Sequence, residues 1–253
     1  MEGWDPMNEP VKAYAGLDSR FVQPVHRETV SQQAYHAIRT SLMRSRLKPG
    51  QRLIVREVAR NLGISVTPVR ESLLRLVSES GLVMDGNGAV MVPILDLPRC
   101  IELRDIRMLV EGEGAARAAR LATGEEIEQL AEIHRRYLQP ERDGDFSEAL
   151  AENENFHFTL CRLARSPALF RIVENLWMQF GPVLGHLYEG PSRPFHGRKH
   201  GHVMVIESLH KRSPEGARRA IAQDILVGGK AILERLQLAA GRSAARPAME
   251  AAQ

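Results

Sequence analysis

Two groups of residues in this chain have types and spacings that could do chemistry, and they lie far apart in the sequence. The first is Ser65, Val66, Thr67 and Arg70, preceded by Arg56 and followed by Asp85-Gly86-Asn87-Gly88. Hydroxyls and amides at the start of a helix suit phosphate oxygens, and a guanidinium one turn further in suits the edge of a guanine. The second group begins with Asn153 and His157, which stand at i and i+4 and so share one helix face. His202 and, 22 residues on, Asp224 come from later segments. Imidazole and carboxylate groups brought together from separate helices can hold a divalent metal. Each of these residues also has an ordinary reading: Thr67 as a helix cap, Arg70 as the partner of Glu57 or Glu71, and the histidines as hydrogen-bonded core groups.

The charge distribution separates the two groups. The chain of 253 residues carries a formal net charge of only +3. Residues 1–27 have a net charge of −1, residues 28–95 of +4, and the remaining 158 residues balance. Between 39 and 75, nine basic groups face only Glu57 and Glu71. A basic excess confined to one short segment points to an anionic partner for that segment, most often nucleic acid, with a solvated helix surface as the alternative.

The elements that must position the first group are legible. Val30, Ala34, Ile38 and Leu42 recur every four residues and predict a helix ending near Arg46. Pro49-Gly50 forces a turn, and a short helix follows over about 55–62, closed by Gly63. A third helix is expected with Thr67 as N-cap, Pro68 at its first position, Val69, Leu73, Leu76 and Val77 buried, and Gly81 at its end. Two short strands, Leu82–Met84 and Ala89–Val92, flank the Asp85–Gly88 turn. Helix, helix, tight turn, helix and hairpin make a winged helix-turn-helix.

After a connector at 93–98, everything reads as helix. Starts fall near Leu97, Thr123, Phe146, Ser166, Arg198 and Ser213, several with cap-then-proline or capping-box signals. The expected organisation is a flexible arm over 1–27, the winged helix-turn-helix over 28–95, an all-α bundle over 96–238 and a frayed tail over 239–253. The fold class is therefore mainly α.

The head carries a specific resemblance. Pro49-Gly50-Gln51-Arg52-Leu53, followed by Leu62-Gly63-Ile64-Ser65-Val66-Thr67-Pro68-Val69-Arg70-Glu71-Ser72-Leu73, resembles the GntR family of bacterial transcription regulators. That resemblance implies DNA contacts by Arg56, Ser65, Val66, Thr67, Arg70 and the wing around Gly86. Family members often have Arg where this chain has Val66, and an apolar side chain there can touch only a thymine methyl, so a different operator is implied. The bundle resembles the FCD domain of the FadR-type branch, through Arg107–Glu111 with its Ala-rich continuation, Asn153–His157, and His202 with Ile206-Glu207-Ser208-Leu209. This implies a divalent metal, Zn, Ni or Mn, on Asn153, His157, His202 and Asp224. Asn153 stands where the family often has Asp, and Asp224 where it commonly has His. Arg107 is expected either to clamp the carboxylate of a small organic-acid effector or to pair with Glu111.

The resulting expectation is a metabolite-responsive regulator, a repressor by family habit, binding a pseudo-palindromic operator as a homodimer. The competing classes are a metalloenzyme and a non-specific DNA binder. No nucleophile motif, H-E-x-x-H or phosphate loop supports an enzyme. Cys100 and Cys161 read as buried free thiols, and with no apolar run of about 18 residues and no signal layout at Met1–Pro6, a cytoplasmic chain without a membrane partner is expected. His134, His186, His196, His200 and His210 are assigned no role, and Met43, Met84 and Met91 are read as core fillers.

Overall fold

A computed structural model describes residues 29–188 and 200–250, with side chains as far as residue 238. The expected arm at 1–27, His196 and the helix start expected at Arg198 lie outside the described residues. Among the described residues no helix is long and apolar enough to cross a membrane.

The head is built from α1 (Val30–Met43), α2 (Val55–Leu62), α3 (Val66–Ser78) and a two-stranded antiparallel wing, β1 (Val83–Met84) and β2 (Val90–Met91). Thr29 opens α1 with a capping box: its Oγ1 accepts the Gln32 amide, and Gln32 Oε1 accepts the Thr29 amide in return. Gly63 closes α2 in the left-handed region at φ 67°. That tight turn sets α3 across α2, and Tyr35, Leu42, Val69, Leu73 and Leu76 fill the space between the helices. The wing is extended by the segment after Pro49-Gly50, where Arg52 bridges Met91 and the Leu53 amide donates to Val90 O over 2.8 Å.

Three details of the head differ from expectation. Helix α3 starts two residues early, with Ser65 extended as its N-cap, so Pro68 occupies the third helical position instead of the first. No intrahelical acceptor exists for an N–H there, so proline fits. The helix ends at Ser78, and the chain turns at Ser80 (φ 62°) instead of Gly81. Gly81 answers a packing need: a Cβ there would lie 2.6 Å from Met178 Sδ. Met84 is exposed and is no core filler, whereas Met43 is buried.

The bundle follows as α4 (Leu97–Leu121), α5 (Gly124–Asp143), α6 (Phe146–Arg162), α7 (Pro167–Leu184), a 3-10 turn (Gly185–Tyr188), α8 (Gly201–His210) and α9 (Pro214–Glu250). Asp96, Thr123 and Asp145 cap the first three of these with side-chain oxygens. The Ala-rich face of α4, Ala115, Ala118 and Ala119, lets α9 approach closely through Ala217, Ala220 and Ile221. Helix α9 runs on through 239–250, where a tail is expected; that stretch is rich in Ala, the strongest helix former.

Head and bundle share one apolar core. Leu42 and Met43 of α1 join Trp177, Phe180 and Val183 of α7 in a single buried cluster. Gly181 makes this possible, since a Cβ there would collide with Leu42 O and lie 2.6 Å from Met43 Cα. Polar contacts close the junction. Ser45, itself at φ 54°, donates to Pro182 O and accepts the Gly185 amide, each at 3.1 Å. Arg44 bonds Glu154 at 2.8 Å, and Arg39 bonds Glu174 at 3.2 Å.

Candidate functional site

The first group of residues converges on one exposed surface. Ser65, Val66, Thr67 and Arg70 all face solvent at the N-terminal end of α3, and Arg56 and Arg60 are exposed on α2. The buried stripe Val69, Ser72, Leu73 and Leu76 turns the opposite face of α3 into the head, which directs Arg70 outward. The alternative partners Glu57 and Glu71 do not hold it: among the described residues no ion pair engages Arg56, Arg60 or Arg70. Ser65 makes no side-chain cap bond, so its hydroxyl is not consumed by the helix start. These groups, with the unsatisfied amides of the first turn, form a cationic donor surface.

The wing tip is held rigidly. Asp85 Oδ1 accepts the amides of Asn87 and Ala89, each at 2.9 Å, and these bonds lower the Asp85 carboxyl below its ordinary range. Gly88, at φ 79°, is the glycine the turn requires; Gly86 is exposed with open space around it.

The second group lies inside the bundle. His157 of α6, His202 of α8 and Asp224 of α9 are buried, and one ligand atom from each lies within 4.8 Å of the others. His157 Nε2 stands 3.3 Å from Asp224 Oδ2 and His202 Nε2 3.9 Å from it. Asn153, one turn before His157, is half-buried and lines the same cavity. His157, His202 and Asp224 are therefore brought to one place, and Asn153 lines the cavity that His157 and Asp224 also line.

The ordinary reading of a hydrogen-bonded core histidine fits His157 but not His202. Both ring nitrogens of His202, together with Asp224 Oδ1 and His134 Nδ1, are buried without a hydrogen-bond partner among the described residues. Buried polar atoms in folded proteins are overwhelmingly satisfied, so donors and acceptors converging in this way fit a bound cation. Gly201 is part of the arrangement, because a Cβ there would collide with the Asp224 carboxylate.

Glu111 supports His157 from behind. It is fully buried on α4, accepts from Arg107 Nε at 2.8 Å and Trp177 Nε1 at 3.0 Å, and lies 2.6 Å from His157 Nδ1. Burial pushes the Glu111 carboxyl upward, but the Arg107 guanidinium and then His157 outweigh it and hold it down at about 2. Burial likewise disfavours a charged His157, yet Glu111 and Asp224 together raise it. A carboxylate on Nδ1 fixes the tautomer and aims Nε2 at the cluster, as such carboxylates do for metal-bound imidazoles. Arg107 is thereby committed to Glu111, with its guanidinium 4.4 Å from the Trp177 ring. Arg107 therefore makes the expected ion pair with Glu111 and also lines the cavity.

That cavity, of about 40 Å³, is bounded by Arg107, Asn153, His157, Asp224, Tyr137 and Tyr188. Tyr137 and Tyr188 meet through their hydroxyls at 3.2 Å. Two residues that were assigned no role belong here. His134 of α5 and His200, just before α8, stand with His202 in a second trio whose ligand atoms also lie within 4.8 Å. His134 falls on the buried stripe Ile127, Leu130, Ile133 and Tyr137, which is the signal that could have found it. His200 Nδ1 accepts the His202 amide at 3.1 Å and caps α8. Cys100 and Cys161 are buried free thiols; burial pushes Cys100 up to about 11 and Cys161 well above its ordinary value.

Comparison with known proteins agrees with both halves. Residues 30–92 match the family described as "Bacterial regulatory proteins, gntR family", and residues 102–226 match the FCD domain. The HTH-type transcriptional regulator McbR of Escherichia coli K12 is 33% identical over 179 residues, which is 70% of this chain and 80% of that protein. The HTH-type transcriptional repressor RspR of the same organism is 27% identical over 202 residues, 78% of this chain and 86% of that one. The solved structure of E. coli McbR/YncC superposes with a TM-score of 0.75 at 31% identity, covering 82% of this chain and 98% of that chain. The chain therefore belongs to the GntR family of bacterial regulators, in the FadR-type branch that joins a winged helix-turn-helix to an FCD domain, and it is a DNA-binding transcriptional regulator and not an enzyme.

Proposed function

We propose that the chain is a metabolite-responsive repressor that binds a pseudo-palindromic operator as a homodimer and senses a small organic acid through a divalent metal in the bundle. The observation that carries the reading is the coexistence of an exposed cationic helix end on the head with a buried cluster of imidazole and carboxylate groups, several of whose polar atoms have no hydrogen-bond partner among the described residues. On DNA, α3 enters the major groove, Arg70 reads a base edge, Ser65, Thr67 and Arg56 engage phosphates, Val66 offers an apolar contact and the wing at Gly86 reaches the neighbouring groove. A twofold dimer places two such helices on related half-sites.

In the bundle, Asn153, His157, His202 and Asp224 would hold the metal, and Glu111 orients His157. A bound divalent ion of the Zn, Ni or Mn type supplies a Lewis-acidic point for a carboxylate ligand. The residues around it define what else enters: Tyr137 and Tyr188 offer hydroxyls, and Phe180, Leu184 and Ile232 exclude water. Coupling to DNA has a direct route through the shared core. Helix α6 carries both His157 and Glu154, the partner of Arg44 at the end of α1, and α7 carries both Trp177 and Gly181. An effector shifts the heads only if it binds one arrangement better than the other.

The test is a fluorescence-anisotropy titration of the full chain with duplexes from its own promoter region and with random duplex, at fixed salt. Specific regulation predicts at least about a thousandfold preference for one promoter duplex. Equal affinity for all duplexes would overturn it.

A further inference from the structure

We propose that His134, His200 and His202 form a second, all-imidazole metal seat that shares His202 with the mixed seat of His157 and Asp224, so that one ion occupies one seat or the other according to its ligand preference. The inference rests on the reading that the bundle holds a divalent metal, and it adds two residues and a selectivity that this reading does not contain.

The geometry is specific. The ring centroids of His134, His200 and His202 are separated by 5.1, 5.3 and 4.3 Å, and one nitrogen from each lies within 4.8 Å of the others. The three come from two elements held in place independently. The capping box at Thr123 and Glu126 fixes α5, and with it His134. His200 and His202 are tied to each other by the amide bond across Gly201, where any side chain would strike Asp224. Aromatic rings wall the trio: Phe156 stacks on His202 at 3.6 Å, and Tyr137 lies edge-on to His200 at 5.0 Å. Between these walls, His134 Nδ1 and both nitrogens of His202 are buried with no hydrogen-bond partner among the described residues. A core histidine retained only for packing would not leave such atoms unsatisfied.

The two seats differ in chemistry. His157, His202, Asp224 and the nearby Asn153 amide make a mixed nitrogen and oxygen set that tolerates a hard ion such as Mn. Three neutral imidazoles favour borderline ions, Zn, Ni and Co, over Mg or Mn. A neutral imidazole has one lone pair, so His202 can serve only one seat at a time. The seats also tie α8 to different partners: to α5 in the imidazole seat, and to α6 and α9 in the mixed seat.

The experiment uses the full chain stripped of metal with a chelator, titrated with Co²⁺ alone and separately with Mn²⁺ alone. Co²⁺ is followed by its visible absorption bands and by competition with a chromophoric chelator. His134→Gln and His200→Gln should each weaken Co²⁺ at least about tenfold, the low end of what even indirect ligand support is worth, and shift its bands, while Mn²⁺ affinity stays within about twofold. X-ray absorption of the wild-type Co²⁺ protein should give three imidazole ligands, a readout independent of whether the variants fold. Wild-type affinity and bands in a folded H134Q/H200Q double variant, or two imidazoles in the wild type, would overturn the second seat while leaving the mixed site standing. Failure of the wild-type chain to bind either ion would overturn the metal reading of the bundle as well.

Discussion

The head and the bundle use charge in opposite ways. On the head, the groups assigned to function are exposed: Arg56 and Arg70 enter no ion pair among the described residues, and Ser65 makes no side-chain cap bond. In the bundle, the corresponding groups are buried and interlocked, with Arg107, Glu111, Trp177, His157 and Asp224 linked in one chain of contacts. A surface that reads another molecule keeps its donors available, whereas buried charges such as Arg107 and Glu111 are held by partners from the fold itself. The contrast predicts that substitutions in the bundle disturb stability and those on the head disturb only recognition.

The largest effect tests the bundle side. Glu111→Ala leaves Arg107 and His157 without their carboxylate and should cost about 3–5 kcal/mol of stability, read as a lower urea midpoint. A loss below about 1 kcal/mol, the value of an exposed pair, would break the comparison. Next comes the head. Arg70→Ala should cost about 1–3 kcal/mol in discrimination between promoter and random duplex, with the urea midpoint unchanged. If instead it destabilised the fold, Arg70 would have a partner that its exposed position does not reveal. The junction gives a smaller effect. A double-mutant cycle on Arg44 and Glu154 should show coupling of at most about 1 kcal/mol, because Arg44 is a third exposed. No coupling in the presence or absence of metal would remove this pair from the route between the two regions. Finally, Cys100 and Cys161 should fail to react with a thiol reagent in the native chain, since both are buried and held protonated. Rapid labelling would show the bundle core to be open.

Much of this was legible in one dimension, and the misses have a common cause. The head could be read because its signals are local: Pro49-Gly50, Gly63, Pro68 and the Asp85–Gly88 turn each dictate the backbone where they stand. Even the misplaced N-cap is a local ambiguity, since proline is admitted at any of the first helical positions. In the bundle, helix starts were legible from capping residues, and His157, His202 and Asp224 lie together with Asn153 on the adjoining cavity wall. The roles of Glu111, His134 and His200 were not read because they depend on contacts between helices. Glu111 was paired with Arg107 four residues away, but its contact with His157 spans 46 residues. His134 sits on a visible apolar stripe, but its neighbours His200 and His202 come from a distant segment. His200 enters only because Gly201 lets α8 begin against Asp224. The packing of the head against α7 was likewise hidden, as it depends on Gly181 meeting the backbone of Leu42 and Met43.

The central claim is a division of labour between a reading surface and a sensing core joined by a shared interior. Anisotropy titrations of Arg70→Ala and His157→Asn on the same promoter duplex test it most directly, each with chelator and then with Zn²⁺ plus a mixture of di- and tricarboxylates. The account predicts that Arg70→Ala loses specific binding under both conditions. His157→Asn, titrated at a temperature where circular dichroism shows its fold intact, should keep wild-type affinity under chelation and no longer respond to the additions. Equal loss of DNA binding in both variants, or a wild-type response in His157→Asn, would contradict it.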